Sequence, residues 1–353
     1  MCRHLLFNFE HITKQRDFLP AFLGNKLMEN DLFNEEEKVL ESCECALKEE
    51  GSLDFKDEFK SLFSNYEKLL KVARKLTRTS DITSKKLKEV NTKVIEQRAE
   101  LKKAHDLIQE ELKEAAKYVQ ALFPKPISEQ DYAVDWRFIP CSSLGGDSFG
   151  YHWIDKNHFA FYLIDVTGHG VRAALLSASV INTLRSQTLP NTNFFEPGDV
   201  LTSLNIAFPQ ETQNYMNFTI WYGVYRKDTR TLTYSSGGHP PTLMFPANRY
   251  EFDEAIELST RNTMIGLLPG IKFIQDSIVL KEESRLYVFS DGAYEVRLSN
   301  DKVLQYPQFT SILKELHSSQ KLNLENLLIH TKSLCQTPEF EDDYTIMEIR
   351  LGV

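Results

Sequence analysis

The chain has 353 residues, 42% of them hydrophobic, and a formal net charge of −9. That length allows about two domains and a sizeable core. The acidic balance, without a basic patch interleaved with aromatics, argues against nucleic-acid binding, and no apolar run reaches membrane-spanning length.

Residues 1–17 are soon interrupted by charge and lack a small-residue cleavage site, which argues against a secretory signal. Residues 1–64 mix apolar clusters (Phe7, Phe9, Phe18, Phe22, Leu23, Leu27) with acidic ones. Helical spacing dominates after Pro20, so a helical regulatory segment is expected there. Of the five cysteines (Cys2, Cys43, Cys45, Cys141, Cys335), none form a CxxC pair. Reduced thiols and a cytoplasmic location are expected.

From Leu69 the pattern sharpens. Leu69, Ala73, Leu76, Ser80, Thr83, Leu87, Val90, Val94, Gln97, Leu101, Ala104 and Ile108 recur at alternating steps of four and three. That is the seam of a coiled coil. Ala104 to Ile108 to Leu112 makes two steps of four in succession, a phase shift that unwinds a supercoil locally. A long solvated helix on its own domain would also fit, but the persistence of the seam favours a parallel homodimer over residues 65–123. Its polar seam positions make that dimer weak, which suits a signalling linker.

Pro124 and Pro126 end this helix. Strands are predicted at 132–140, 151–154, 159–164, 218–225, 231–235, 242–246, 278–280, 285–289 and 345–351, and helices at 171–187, 198–208, 306–316 and 323–335. Strands grouped around helix pairs give an α+β layered domain over residues 124–353.

Several acids in this domain sit where a strand meets a turn. Asp147 follows two glycines, Asp165 ends the run 159–164, Asp291 follows 285–289, and Asp342 and Asp343 precede 345–351. Each alone reads as a turn or capping acid. If the strands share one sandwich, the carboxylates gather at one end and need cations. Oxygen-only donors suit Mg²⁺ or Mn²⁺, and a pair of such ions can activate water against a phosphoryl group.

LGGDSFG (144–150), IDVTGHGVRAALLS (164–177), SSGGHPP (235–241), FSDGAYE (289–295) and EDDYTIM (341–347) follow one another in this order. Together they resemble the SpoIIE-type, RsbU-like branch of the PPM metal-dependent protein serine/threonine phosphatases, over about residues 122–351. The resemblance implies a β-sandwich flanked by helices, with two divalent cations, Mn²⁺ or Mg²⁺, between the sheets. It implies catalytic and metal-binding roles for Asp147, Asp165, Asp291 and Asp342, with Asp165 as the bridge and the Val166 carbonyl as an added ligand. Asp343 is the alternative to Asp342. It also implies a bacterial hydrolase acting on a phosphorylated regulatory protein, an anti-anti-sigma protein of STAS type.

Two departures from the family stand out. Ser148, Phe149 and Gly150 replace the aromatic pair and second acid that many relatives carry after GGD. Thr167, not His169, occupies the place of the general-acid histidine of eukaryotic relatives, so His169 is given no catalytic role. His239 is expected in a turn or flap, and Cys141 in the core. The signal is expected to run from residues 1–64 through the coiled coil to the helix that follows Asp165. A diguanylate cyclase is disfavoured because Ser148 stands where its acid is needed. An idle adaptor that binds a phosphoprotein remains the alternative from another class.

Overall fold

A computed structural model of the chain describes residues 37–41, 44, 53–246, 255–280, 283–299, 301–337 and 339–352. The apolar clusters of residues 7–27, Cys2 and Cys43 lie outside the described residues, as does most of the expected helical segment. The chain divides into two compact units, Met1–Lys102 and Lys103–Val353.

One uninterrupted helix, α1 (Leu53–Gln120), carries the predicted seam. The absence of Pro and Gly permits its length, and Thr77, Thr79, Thr83 and Thr92 bond back to carbonyls one turn earlier. Within the first unit Arg74 pairs with Glu37. Most large seam residues are open, Leu69 at 70% and Leu101 at 72% exposure. No helix among the described residues is long and apolar enough to cross a membrane.

The second unit is a two-sheet sandwich. Its strands are β1 (Ile127–Ser128), β2 (Tyr132–Ile139), β3 (Ser148–Trp153), β4 (His158–Val166), β5 (Phe218–Arg226), β6 (Thr231–Gly237), β7 (Thr242–Pro246), β8 (Ile256–Leu258), β9 (Asp276–Val279), β10 (Ser284–Phe289) and β11 (Tyr344–Leu351). A six-stranded sheet runs β1-β2-β11-β10-β7-β8, and a five-stranded sheet runs β3-β4-β5-β6-β9. Helices α2 (Val171–Arg185) and α3 (Pro197–Ala207) belong with the five-stranded sheet, and α4 (Tyr306–Ser318) and α5 (Leu324–Leu334) with the six-stranded one.

Strand alternation builds this layering. On β10, Leu286 and Val288 join the core between the sheets, whereas Tyr287 and Phe289 face Phe309 and Leu313 of α4. β4 is buried from Phe159 to Ile164 because both of its faces are covered. Every predicted strand and helix of this domain is present with small shifts at its ends. β1 and β8, two and three residues long, carry too little pattern to be read from sequence.

Candidate functional site

Antiparallel pairing decides where the acids meet. Ser148 of β3 lies opposite Ile164 of β4, so the residue before β3, Asp147, stands beside Asp165. Phe289 of β10 lies opposite Ile346 of β11, so Asp291 just past one strand neighbours Asp342 and Asp343 just before the other. The two groups of acids belong to different sheets, and side chains join them. The Thr345 hydroxyl donates to Asp147 Oδ2 at 2.5 Å. Asp343 Oδ2 accepts from the Gly146 and Asp147 amides at 2.6 and 3.2 Å, and its Oδ1 from the Cys141 amide at 2.9 Å.

Glycine is required where the main chains close in. A Cβ on Gly145 would lie 2.6 Å from Asp343 Oδ2, and one on Gly292 would overlap the Asp343 carbonyl. A Cβ on Gly146 would lie 2.9 Å from the Val166 carbonyl oxygen, which places that oxygen against the GGD turn. Past β4, Gly168 and Gly170 take φ of +85° and +89°, a region that favours glycine. They turn the chain directly into α2.

The carboxylates crowd one another. Asp147 is 3% exposed. Burial first, then the Asp165 and Asp343 charges, hold it far above the usual carboxylate range, against the hydroxyls of Ser290 and Thr345. Burial and then Asp291, Asp342 and Asp343 push Asp165 up to about 8. Burial, Asp342 and Glu295 push Asp291 up to about 6. Asp342, at the exposed rim, is raised by partial desolvation and by Asp343. A set of oxygen donors that resists ionisation first because it is buried and then because its charges face each other fits hard divalent cations, whose charge offsets both.

The other singled-out residues fall as follows. His169 is exposed on the turn before α2, close enough to Asp342 to steady its charge. The Cys141 thiol lies within 4.8 Å of the Asp342 and Asp343 carboxylate oxygens. Burial, then Asp343, pushes it up to about 12, so it is a protonated thiol at neutral pH. Phe149, in the stretch after GGD, stacks on Phe123 with ring centroids 4.5 Å apart. His239 is buried, not flap-like. Thr345 and Thr219 also bear on the site. Thr345 at least lies inside the EDDYTIM stretch, but Thr219 carries no local signal.

The SpoIIE family model (Stage II sporulation protein E) matches residues 155–352, more than half of the chain. The chain belongs to the SpoIIE family. Phosphoserine phosphatase RsbP of Bacillus subtilis (strain 168) is 25% identical over 193 residues, which cover 52% of this chain and 45% of RsbP. The chain therefore spans less than half the length of that relative. Among solved structures, the SiaA-PP2C domain of Pseudomonas aeruginosa matches with a TM-score of 0.57 at 16% identity, over 70% of this chain and 98% of that one. The PP2C phosphatase domain and regulatory-domain fragment of SpoIIE from Bacillus subtilis matches at 0.51 and 16% identity, over 64% of each chain. These likenesses show that the SpoIIE-family unit described above has the PP2C fold.

Proposed function

We propose that the chain is a protein phosphatase that removes phosphate from phosphoserine or phosphothreonine on a regulatory protein, with two divalent cations, Mn²⁺ or Mg²⁺, as cofactors. The observation that carries this reading is the meeting of Asp147, Asp165, Asp291 and Asp342, delivered by strand ends of both sheets. In this reading those four carboxylates and the Val166 carbonyl hold the cations. When bound, such ions neutralise phosphoryl charge and lower the pKa of water. Asp343 spends both oxygens on three backbone amides, so it serves as the brace of the GGD turn and leaves ligation to Asp342. The Thr345 hydroxyl fixes the rotamer of Asp147. RsbP carries the name phosphoserine phosphatase, which supports the reaction class, and the motif resemblance supports a STAS-type substrate.

The test is phosphate release from a phosphoserine peptide by the purified chain. Release that needs Mn²⁺ or Mg²⁺ and stops with chelator is the expected result. Equal release in excess chelator would overturn the cation reading, and no release under any divalent ion would overturn the enzyme reading.

The open seam on α1 supports a homodimeric coiled coil that regulates the site. Leu76, Leu87 and Val90 are exposed on the single chain, and a second copy of the helix would cover them. Next to the end of α1, Phe123 packs on Phe149, two residues past Asp147, and Arg185 of α2 donates to the Leu122 carbonyl at 2.9 Å. Both elements that flank the carboxylates thus touch the helix exit. Deleting residues 1–68 should change the turnover rate, and deleting residues 1–108, which removes the seam, should lower the solution mass from dimer towards monomer. An unchanged rate together with a monomeric full-length chain would refute the regulated dimer.

A further inference from the structure

His239 lies where the chain crosses from the five-stranded to the six-stranded sheet, between β6 and β7, and is 5% exposed. Its main chain is fixed: Gly238 takes φ of +68°, and the Ser236 hydroxyl donates to the His239 carbonyl at 2.8 Å. Its Nδ1 lies 2.8 Å from the Thr219 hydroxyl. No group meets its buried Nε2 in hydrogen-bond geometry among the described residues, although the Phe289 main chain bears on the ring. Burial holds the imidazole neutral, down at about 3, so it carries one N–H and one lone pair. In the tautomer with hydrogen on Nε2, the ring N–H is turned away from Thr219, and Nδ1 accepts from the Thr219 hydroxyl.

Thr219 is the register partner of Asp165 across β4 and β5, and directly opposed residues of an antiparallel pair share a face. Its side chain therefore stands on the same face as the carboxylate that the proposed function makes the bridge. The contrast with Thr345 is informative, since that hydroxyl donates to its neighbouring acid, Asp147. Phe289, on the other side of the imidazole, ends β10 two residues before Asp291.

We infer that His239 is a positioning residue for the cation site: it draws the Thr219 hydroxyl into a hydrogen bond and away from Asp165, which leaves both oxygens of that carboxylate open to cations. The inference rests on the two-cation reading and adds to it a residue from the sheet crossover that touches neither cation nor substrate.

Two substitutions separate this role from simple packing. In His239→Asn the amide can occupy the Nδ1 position and still accept from Thr219. In His239→Gln the amide reaches the Nε2 position and leaves Thr219 without an acceptor. By titration calorimetry, His239→Asn should bind Mn²⁺ within about threefold of the unmodified chain, and His239→Gln about tenfold more weakly, the usual scale for groups behind a ligand. The two should melt alike without cations. On a Thr219→Val background the two should become equal, because the effect travels through that hydroxyl. Equal affinities of Asn and Gln with Thr219 present would overturn the inference while leaving the cation reading intact. An unmodified chain that binds no Mn²⁺ would instead overturn the cation reading, and this inference with it. Nitrogen NMR of the imidazole in the unmodified chain is independent of how the variants fold. The expected tautomer carries hydrogen on Nε2, and hydrogen on Nδ1 would overturn the inference.

Discussion

Asp165→Asn should lower phosphate release by about 10³-fold or more, because several kcal/mol of charge stabilisation depend on the cations it helps to hold. The same substitution should make the cation-free protein more stable at neutral pH. In the fold Asp165 is raised to about 8 by burial and by Asp291, Asp342 and Asp343, against about 3.9 in an unfolded chain. A group raised in the fold favours folding fully below its unfolded pKa and loses that contribution as pH rises through the folded value. The cation-free chain should therefore lose melting temperature between about pH 4 and about pH 8, with Asp291, raised to about 6, acting in the lower part of that window. Asn carries no charge at any pH, so the variant's profile should be flatter. Mn²⁺ should raise the melting temperature of the unmodified chain, most at the alkaline end, and that of the variant far less. Thermal melts in chelator and in excess Mn²⁺ across this range, with turnover alongside, provide the check. Undiminished turnover in the variant, or parallel pH profiles for the two chains, would remove Asp165 from the site.

The sequence made the strands and their acids legible because those signals are local. The run from Phe159 to Ile164 is apolar throughout since both faces of β4 are covered, and glycines mark the turns at Asp147, Asp165 and Asp291. The seam of α1 was legible for the same reason. Register was not. That Asp165 faces Thr219, and that Thr345 reaches Asp147, depends on pairings between stretches far apart in the chain. GGHPP is turn chemistry, so the sequence alone places His239 in a turn. The turn is there, but the crossover between sheets buries its side chain. The adjacent acids Asp342 and Asp343 were indistinguishable by composition. Successive residues of an extended chain point to opposite sides, and only the fold shows that Asp343 turns inward while Asp342 stays at the rim.

That difference leads to the second large effect. Asp343→Ala should cost about 3–5 kcal/mol of stability, since it strips acceptors from three backbone amides, two of them in buried residues. In a unit of this size the melting temperature should fall on the order of 10 °C. The Gly146 backbone lies against the Gly168 and Val166 carbonyls, and the Asp343 main chain against Gly292, so those bonds are not rebuilt by a small shift. Asp342→Ala removes one bond, the acceptor of the Asp343 amide at 2.8 Å, at an exposed position. It should leave the melting temperature of the cation-free chain within a few degrees of the original while sharply weakening Mn²⁺ binding. Melting curves in chelator separate brace from ligand, and calorimetric titration with Mn²⁺ shows which acid the cation needs. Should Asp343→Ala melt like the unmodified chain yet lose Mn²⁺, and Asp342→Ala keep it, the two acids would exchange roles, and the GGD turn would have to be held by Thr345 and the glycine packing alone.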